Sequence, residues 1–299
     1  MACLVIAVII SSALLATGPA FMNPAGFLPT LQRVVALAAL IGLILWRPGL
    51  GHPIALRLAT VLIGITFLVV AWDAIRVLNH TTMTLAFPLA DDLLDGWDRA
   101  LGLDWRSYFL AVEANPTLRA AMAWSYNSLT YLSVIAYLMM CVDRDYRRSL
   151  YFLETFTLTA VVCTVSGAFF PARAAVDRYF GSDADLSVFP VEPGLYHLGA
   201  LEKLRSGAPV ELVLGQLPGL VTFPSFHTAA GILLVAAAWR SWLFLPALAY
   251  STLMIASTPV YGGHYFIDLL SGALIAVGIA LIWARFDRFR PVFQGRRDG

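Results

Sequence analysis

The sequence predicts an all-α fold: a polytopic bundle of about eight transmembrane helices with an amphipathic helix at the membrane interface. Hydrophobic residues make up 59% of the 299 residues and charged residues only 13%, against about 25% charged residues in a typical soluble domain. Apolar segments of about 20 residues, the length that crosses roughly 30 Å of hydrocarbon, recur along the chain. The net charge of +1 and the lack of a recognised nucleic-acid motif predict no nucleic-acid partner.

Eight apolar segments are candidate spans. They cover about 2–21, 28–46, 54–78, 119–141, 150–170, 224–240, 242–257 and 264–284. The first is interpreted as an uncleaved span rather than a signal peptide, because it lacks a basic n-region and further apolar segments follow. The second contains Arg33, which can snorkel to the interface, and the short seventh contains Pro246.

Basic residues in the short loops orient the chain. They are Arg47, Arg57, Arg144, Arg147, Arg148 and Arg240, with Arg285, Arg288, Arg290, Arg296 and Arg297 after the last span. With eight spans all of them fall on one side, which the positive-inside rule makes cytoplasmic together with both termini. Two long segments, about 79–118 and 171–223, then face outward.

The outer segment from Leu89 to Val112, LADDLLDGWDRALGLDWRSYFLAV, mixes Leu and Trp with acidic residues. It predicts either an amphipathic helix on the outer interface or a packed extracellular loop. Three cysteines, Cys3, Cys141 and Cys163, are scattered without metal-ligand spacing. We infer no disulfide framework from them.

The stretch FPSFHTAAG, residues 223–231, places ionisable and polar side chains where an apolar span begins. Pro224 suits the first turn of a helix, and Thr222 can act as an upstream cap. Ser225 and His227 are therefore expected in the first turn of the sixth span, at the outer surface.

A second stretch, YGGHYFIDLL, places His264 and Asp268 four residues apart at the start of the eighth span. One helical turn separates them, so the carboxylate can reach the imidazole and fix its tautomer, leaving the other ring nitrogen free to attack. The orientation above puts both histidines at the same membrane face. Two helix N-termini there offer free N–H groups of the kind that favour a phosphate.

These residues resemble the motifs of the type 2 phosphatidic acid phosphatase and vanadium haloperoxidase superfamily. Pro224, Ser225 and His227 are similar to its Pro-Ser-Gly-His motif. The run from Ser257 to Asp268 resembles its third motif, which has a Ser seven residues before the His and an Asp four residues after it. Phe226 in place of Gly, together with GHYFID, resembles the branch that contains inositol phosphorylceramide synthases.

The resemblance implies roles for six residues. His264 would be the nucleophile that forms a phosphohistidine, Asp268 its orienting carboxylate and His227 the general acid, with Ser225 donating to the phosphate. The third-motif arginine is Thr258 here, and the first motif, with a Lys and a later Arg-Pro, is missing. The substrate-binding residues implied are therefore Ser225, Ser257 and Arg173, the last with Arg178 as the other nearby arginine.

The resemblance divides the chain into N-terminal transmembrane helices (1–84), a membrane catalytic core like that of the phosphatase superfamily (85–290) and a cytoplasmic tail (291–299). It implies a lipid phosphotransferase acting on a phospholipid or lipid phosphate on the non-cytoplasmic face, without cofactor or metal. The acceptor would be a lipid alcohol such as ceramide, or water, in which case the protein is a lipid phosphate phosphatase.

Other interpretations stay open. A transporter with a His/Asp proton path would use His264, Asp268 and Asp73, and two His with one Asp could also bind a metal. Asp73 and Arg76 could reach the same cavity or pair with each other. Polar residues of the fourth span could bond a head group or pack helices; they are Asn127, Ser128 and Tyr131. Three further histidines are expected in loops and are assigned no chemistry; they are His52, His80 and His197.

Overall fold

The structure is a computed structural model that describes residues 2–47, 52–142, 147–182 and 184–286. The helices within these ranges are α1 (Ala2–Thr17), α2 (Leu28–Trp46), α3 (His52–Met83), α4 (Asp91–Ala100), α5 (Trp105–Glu113), α6 (Pro116–Asn127), α7 (Leu129–Val142), α8 (Arg147–Phe169), α9 (Ala175–Phe180), α10 (Leu198–Arg205), α11 (Phe226–Ala237), α12 (Phe244–Tyr261) and α13 (Phe266–Ala284). Two short strands, β1 (Ala20–Met22) and β2 (Val210–Leu212), pair in parallel. The predicted tail, 291–299, lies outside the described residues.

The predicted helical membrane bundle is confirmed. Four stretches of the described chain are helical, long and apolar enough to cross a membrane: 24–46, 53–83, 147–169 and 266–284. The bent pair of α6 and α7 makes a fifth if it counts as one span. Helix α11 has only 12 residues and rises about 18 Å at 1.5 Å per residue, less than a bilayer core. The count of eight spans therefore stays a prediction.

Helix α11 lies at the centre of the bundle, where it packs on α8, α12 and α13. Its buried residues include Ala229, Ala230 and Gly231, and such small side chains let neighbouring helix backbones approach closely. The N-terminal helices α1 and α2 pack on α3, and α3 packs on α8. The N-terminal helices therefore contact the rest of the bundle through α3 and α8.

The predicted fourth span bends by 59° between α6 and α7. Asn127 Nδ2 donates to the carbonyl of Ala123 at 2.8 Å, and Ser128 Oγ donates to that of Ser125 at 3.2 Å. Side chains that bond to the preceding turn compete with the helical hydrogen bonds and commonly bend a helix. These two polar residues thus lie at the bend.

The outer segment from Leu89 is two helices, α4 and α5, rather than one. They are separated at Gly102, whose φ of 73° ends the helical path. Helix α4 packs on α9 and α13, and α5 packs on α6 and α12. The segment is amphipathic and helical, but its apolar face, including Leu94 and Trp105, is buried against the other helices.

The expectation that His52 and His80 lie in loops is wrong, because α3 runs over both positions. The polar residues from Asn79 to Thr82 interrupt the apolar pattern but continue the helix. The side chains of Thr81 and Thr82 donate to carbonyls one turn earlier. The predicted span ends at about 78, but the helix continues because these hydroxyls bond to backbone carbonyls of the preceding turn.

Candidate active site

The first turn of α11 positions Ser225 and His227. Ser225, rather than the predicted Thr222, caps the helix by accepting a hydrogen bond from the Thr228 N–H at 3.3 Å, so Pro224 precedes α11 instead of lying in its first turn. His227 is the second residue of α11 and lies in the same first turn. Its ring stacks on the ring of Tyr126 in α6, with the ring centroids 4.1 Å apart and the planes 14° apart.

His264 lies in the loop between α12 and α13, outside either helix, and only 3% of it is exposed. Its Nδ1 is 3.1 Å from Asp268 Oδ2, the i,i+4 contact that the spacing predicts. The same carboxylate oxygen accepts the Tyr265 N–H at 3.0 Å, so the loop and the first turn of α13 share one acceptor. The Nε2 atom of His264 faces Ser225 Oγ at 3.4 Å.

Burial lowers the pKa of His264 to about 4, although a hydrogen bond to the Thr222 backbone acts in the opposite direction. At neutral pH the imidazole is therefore uncharged. An uncharged ring has a lone pair, which a nucleophile requires.

The two motif segments are joined directly. The Ser225 N–H donates to the carbonyl of Asp268 at 2.9 Å. At Gly272, a side chain would overlap the Ser225 backbone, so the start of α11 lies against α13 with no room for a Cβ atom. The separation of the two motifs is thus fixed by backbone contacts.

The buried carboxylate of Asp98 fixes the start of α13. Its two oxygens accept the Phe266 and Ile267 N–H groups at 2.8 and 2.7 Å, two of the N–H groups that a helix start leaves free. Burial raises the pKa of Asp98, and these bonds oppose the shift. Trp105 Nε1 donates to the carbonyl of His264 at 2.9 Å, which holds the loop from α5.

Both histidines line a single cavity of about 560 Å³. Its wall also includes Tyr126, Tyr196 and His197. The N-terminal helices α2 and α3 contribute Arg33, Asp73 and Arg76. The cavity therefore reaches from the loop at His264 to helices that precede the predicted catalytic core.

Asp73 and Arg76 both line the cavity, and each has a partner. Asp73 accepts a short hydrogen bond from the hydroxyl of Thr30. The Arg76 guanidinium lies 4.8 Å from the centre of the Trp72 ring. Both residues therefore face the cavity, which is one of the two sequence alternatives for this pair.

The other predicted phosphate contacts lie apart from the cavity wall. Arg173 Nε and Nη1 bond to Asp177 and Glu202 at 2.6 and 2.7 Å, which raises the Arg173 pKa. Ser257 is buried and donates to the carbonyl of Met254 at 2.6 Å. A phosphate would have to draw Arg173 from both carboxylates, so its role as a clamp stays a prediction, as does that of Ser257.

His197, which no sequence motif selects, lines the cavity and is 1% exposed. It lies in the segment 171–223, just before α10 and 30 residues before His227, and no spacing rule connects it to either motif. Tertiary contacts of the segment 171–223 bring it there, among them the Gly194 N–H that donates to the Tyr261 carbonyl at the end of α12 at 3.2 Å. Among the described residues no cluster of three or more His, Cys, Asp or Glu side chains has the arrangement of a metal site.

The family model described as the PAP2 superfamily matches residues 93–282 of the chain. The match covers more than half of the chain, so the protein belongs to the PAP2 superfamily. Membership supports phosphatase or phosphotransferase chemistry on lipid phosphates at a membrane. Comparisons with curated proteins and with solved structures gave no match.

Proposed function

We propose that the protein is a membrane-embedded lipid phosphotransferase that works through a phosphohistidine at His264. The observation that carries the proposal is the shared cavity: His227 and His264 line it together, and Asp268 holds the far side of the His264 ring. Superfamily membership supports the reaction class, and the residue roles follow from the sequence resemblance.

In the first step, His264 Nε2 attacks the phosphorus of a phospholipid or lipid phosphate. The bond from phosphorus to the leaving oxygen breaks, and His227 supplies the proton that the leaving alcohol takes up. In the second step an acceptor oxygen attacks the phosphorus and the P–N bond breaks. A lipid alcohol such as ceramide gives head-group transfer, and water gives a phosphatase.

Positive charge for the phosphate is available from two sources. The Ser225-capped start of α11 presents backbone N–H groups near His264. Among the described residues, the arginines that line the cavity are Arg33 and Arg76. We assign the charge contact to Arg76, because it comes from the outer half of α3 and is half-buried in the wall, whereas Arg33 is mostly exposed.

The site is assigned to the non-cytoplasmic face. Support comes from the sequence, since the arginines of the short loops lie on the opposite side in an eight-span chain. An impermeant thiol reagent tests this: a cysteine placed at exposed Gly181 should react in sealed, right-side-out vesicles. Reaction only after the vesicles are opened would contradict the assignment.

The direct test is activity of the purified protein in detergent. Head-group-labelled phospholipids are incubated with and without ceramide, and with EDTA. We expect labelled head group on ceramide, or free product if water is the acceptor, and EDTA should change neither. His264→Asn should abolish turnover while the melting temperature stays within a few degrees. Near-normal turnover by that variant would remove the mechanism, and vesicle transport without any product would favour a transporter.

A further inference from the structure

A third histidine, His197, faces the cavity beside the two motif histidines. It precedes α10 and is 1% exposed. Its neighbour Tyr196 also lines the cavity, with its hydroxyl 3.5 Å from that of Tyr126. The Tyr126 ring in turn stacks on His227. His197 is therefore part of the same wall as the proposed general acid.

Backbone contacts fix the orientation of the His197 ring. The Arg173 backbone acts on the ring as a hydrogen-bond acceptor that favours a protonated nitrogen, and because Nε2 has no partner among the described residues this nitrogen is Nδ1. That backbone is itself held, because the Arg173 N–H donates to the Asp91 carboxylate at 3.0 and 3.1 Å. The ion pairs of Arg173 with Asp177 and Glu202 add further anchors.

The other ring nitrogen, Nε2, is buried and has no hydrogen-bond partner among the described residues. With the proton on Nδ1, this nitrogen carries a lone pair and can only accept. A buried acceptor without a partner costs about 1–3 kcal/mol. Such groups are rare in folded proteins, and a bound ligand is one of the explanations they call for.

We propose that His197 is the base that takes the proton from the acceptor hydroxyl in the second step. The inference rests on the proposed function and assigns a residue that neither motif contains. The oxygen of the alcohol or water attacks the phosphorus, its proton passes to His197 Nε2, and the P–N bond breaks with its electron pair returning to His264. His227, which gave up a proton in the first step, regains one as His197 releases its own to solvent.

The electrostatics of the site fit this order of events. Burial is the main cause that lowers the pKa of His197 to about 4; the Arg173 backbone opposes the shift and the neighbouring His264 contributes to it. At neutral pH the ring is therefore uncharged and can accept. The negative phosphoryl group on His264 then strengthens its affinity for a proton at the moment when the acceptor must lose one.

The test separates the two steps. With rapid mixing and quenching, His197→Asn should release the first leaving alcohol in a burst within about twofold of the wild-type rate. Steady-state turnover should fall by about 10²–10⁴-fold, the usual contribution of a general base. Phosphohistidine should therefore accumulate toward one equivalent, and free imidazole should restore part of the turnover in His197→Ala.

A matched control is available in the chain. His80 is also buried, its Nδ1 also bonds to a backbone carbonyl, and its Nε2 also lacks a partner, but it does not line the cavity. His80→Asn should leave both steps near wild type. Equal effects of the two variants, or a His197→Asn burst slowed as much as turnover, would overturn the assignment.

A measurement on the unaltered protein covers the case in which the variants do not fold. Histidine-labelled ¹⁵N NMR should show His197 with its proton on Nδ1 and a bare Nε2; a proton on Nε2 would overturn the inference. Absence of any phosphoenzyme in the wild type, with His264→Asn still active, would instead contradict the proposed function itself.

Discussion

Gly262→Ala should displace the proposed nucleophile without removing any polar group from the site. A Cβ atom at this position would lie 2.9 Å from His264 Nε2, closer still to Cδ2, and 2.9 Å from the Thr258 carbonyl oxygen. Ordinary contacts begin at 3.4 Å. The backbone oxygen belongs to α12 and cannot easily move, so the imidazole must shift, by about half an ångström at Nε2 and more at Cδ2.

The size of this shift sets the expected loss. A misplacement of about 1 Å can reduce a rate by about 10²-fold, so Gly262→Ala should lower kcat by about 10- to 100-fold. The φ of Gly262 is −89°, which alanine adopts freely, so the loss of stability should be limited to the overpacking term, about 1–3 kcal/mol.

The assay measures product formation at saturating lipid together with the thermal midpoint of each variant. Gly278→Ala is the control: it lies in α13, and a Cβ there would have nothing within 4 Å. That control should keep full activity and gain up to about 1 kcal/mol from the better helix propensity of alanine. Activity of Gly262→Ala within threefold of wild type would refute the placement of the His264 ring.

Two further substitutions and one pH titration test separate features of the site. Asp268→Asn should lower kcat by about 10⁴-fold, because the amide favours the wrong His264 tautomer; chemical denaturation checks that the variant folds, and a loss below tenfold would argue against the orienting role. Arg76→Gln should raise KM by about tenfold or more with a smaller change in kcat, whereas Arg57→Gln, exposed at the far end of α3, should change neither; equal KM values for the two variants would contradict the charge assignment. In ¹⁵N NMR, His264 should stay neutral down to about pH 5, because its pKa lies near 4 against 6.5 in the unfolded chain. Since the unfolded ring binds the proton more readily, stability should be complete above about pH 6.5 and fall as pH drops toward 4, by up to about 1.4 kcal/mol per unit; protonation near pH 6.5 in the folded protein would contradict this.

Local patterns in the sequence predicted much of the bundle. The predicted segment 28–46 has the same bounds as α2, and those for α8, α12 and α13 agree within three or four residues. Apolar composition and length suffice for this because a helix in lipid must satisfy its backbone within itself. The i,i+4 spacing also predicted the contact of His264 with Asp268, although His264 lies just before α13 and is held there by the loop.

Contacts between distant segments were not accessible from the same patterns. The break at Gly102 depends on a single positive φ, and the twelve-residue length of α11 depends on packing beyond its own composition. Arg76 reaches the cavity only because α3 packs on α8. His197 reaches it only because the segment 171–223 folds over the bundle. Neither residue has a spacing relation to the motifs that a sequence pattern could show.

The proposed phosphohistidine at His264 can be trapped directly. The protein is mixed with a donor carrying ³²P in its phosphate, quenched within milliseconds and digested under alkaline conditions. We expect an acid-labile, alkali-stable label on the peptide that contains His264, with none on the same peptide of His264→Asn. Normal turnover with no label on that peptide, or with the label on another residue, would contradict it.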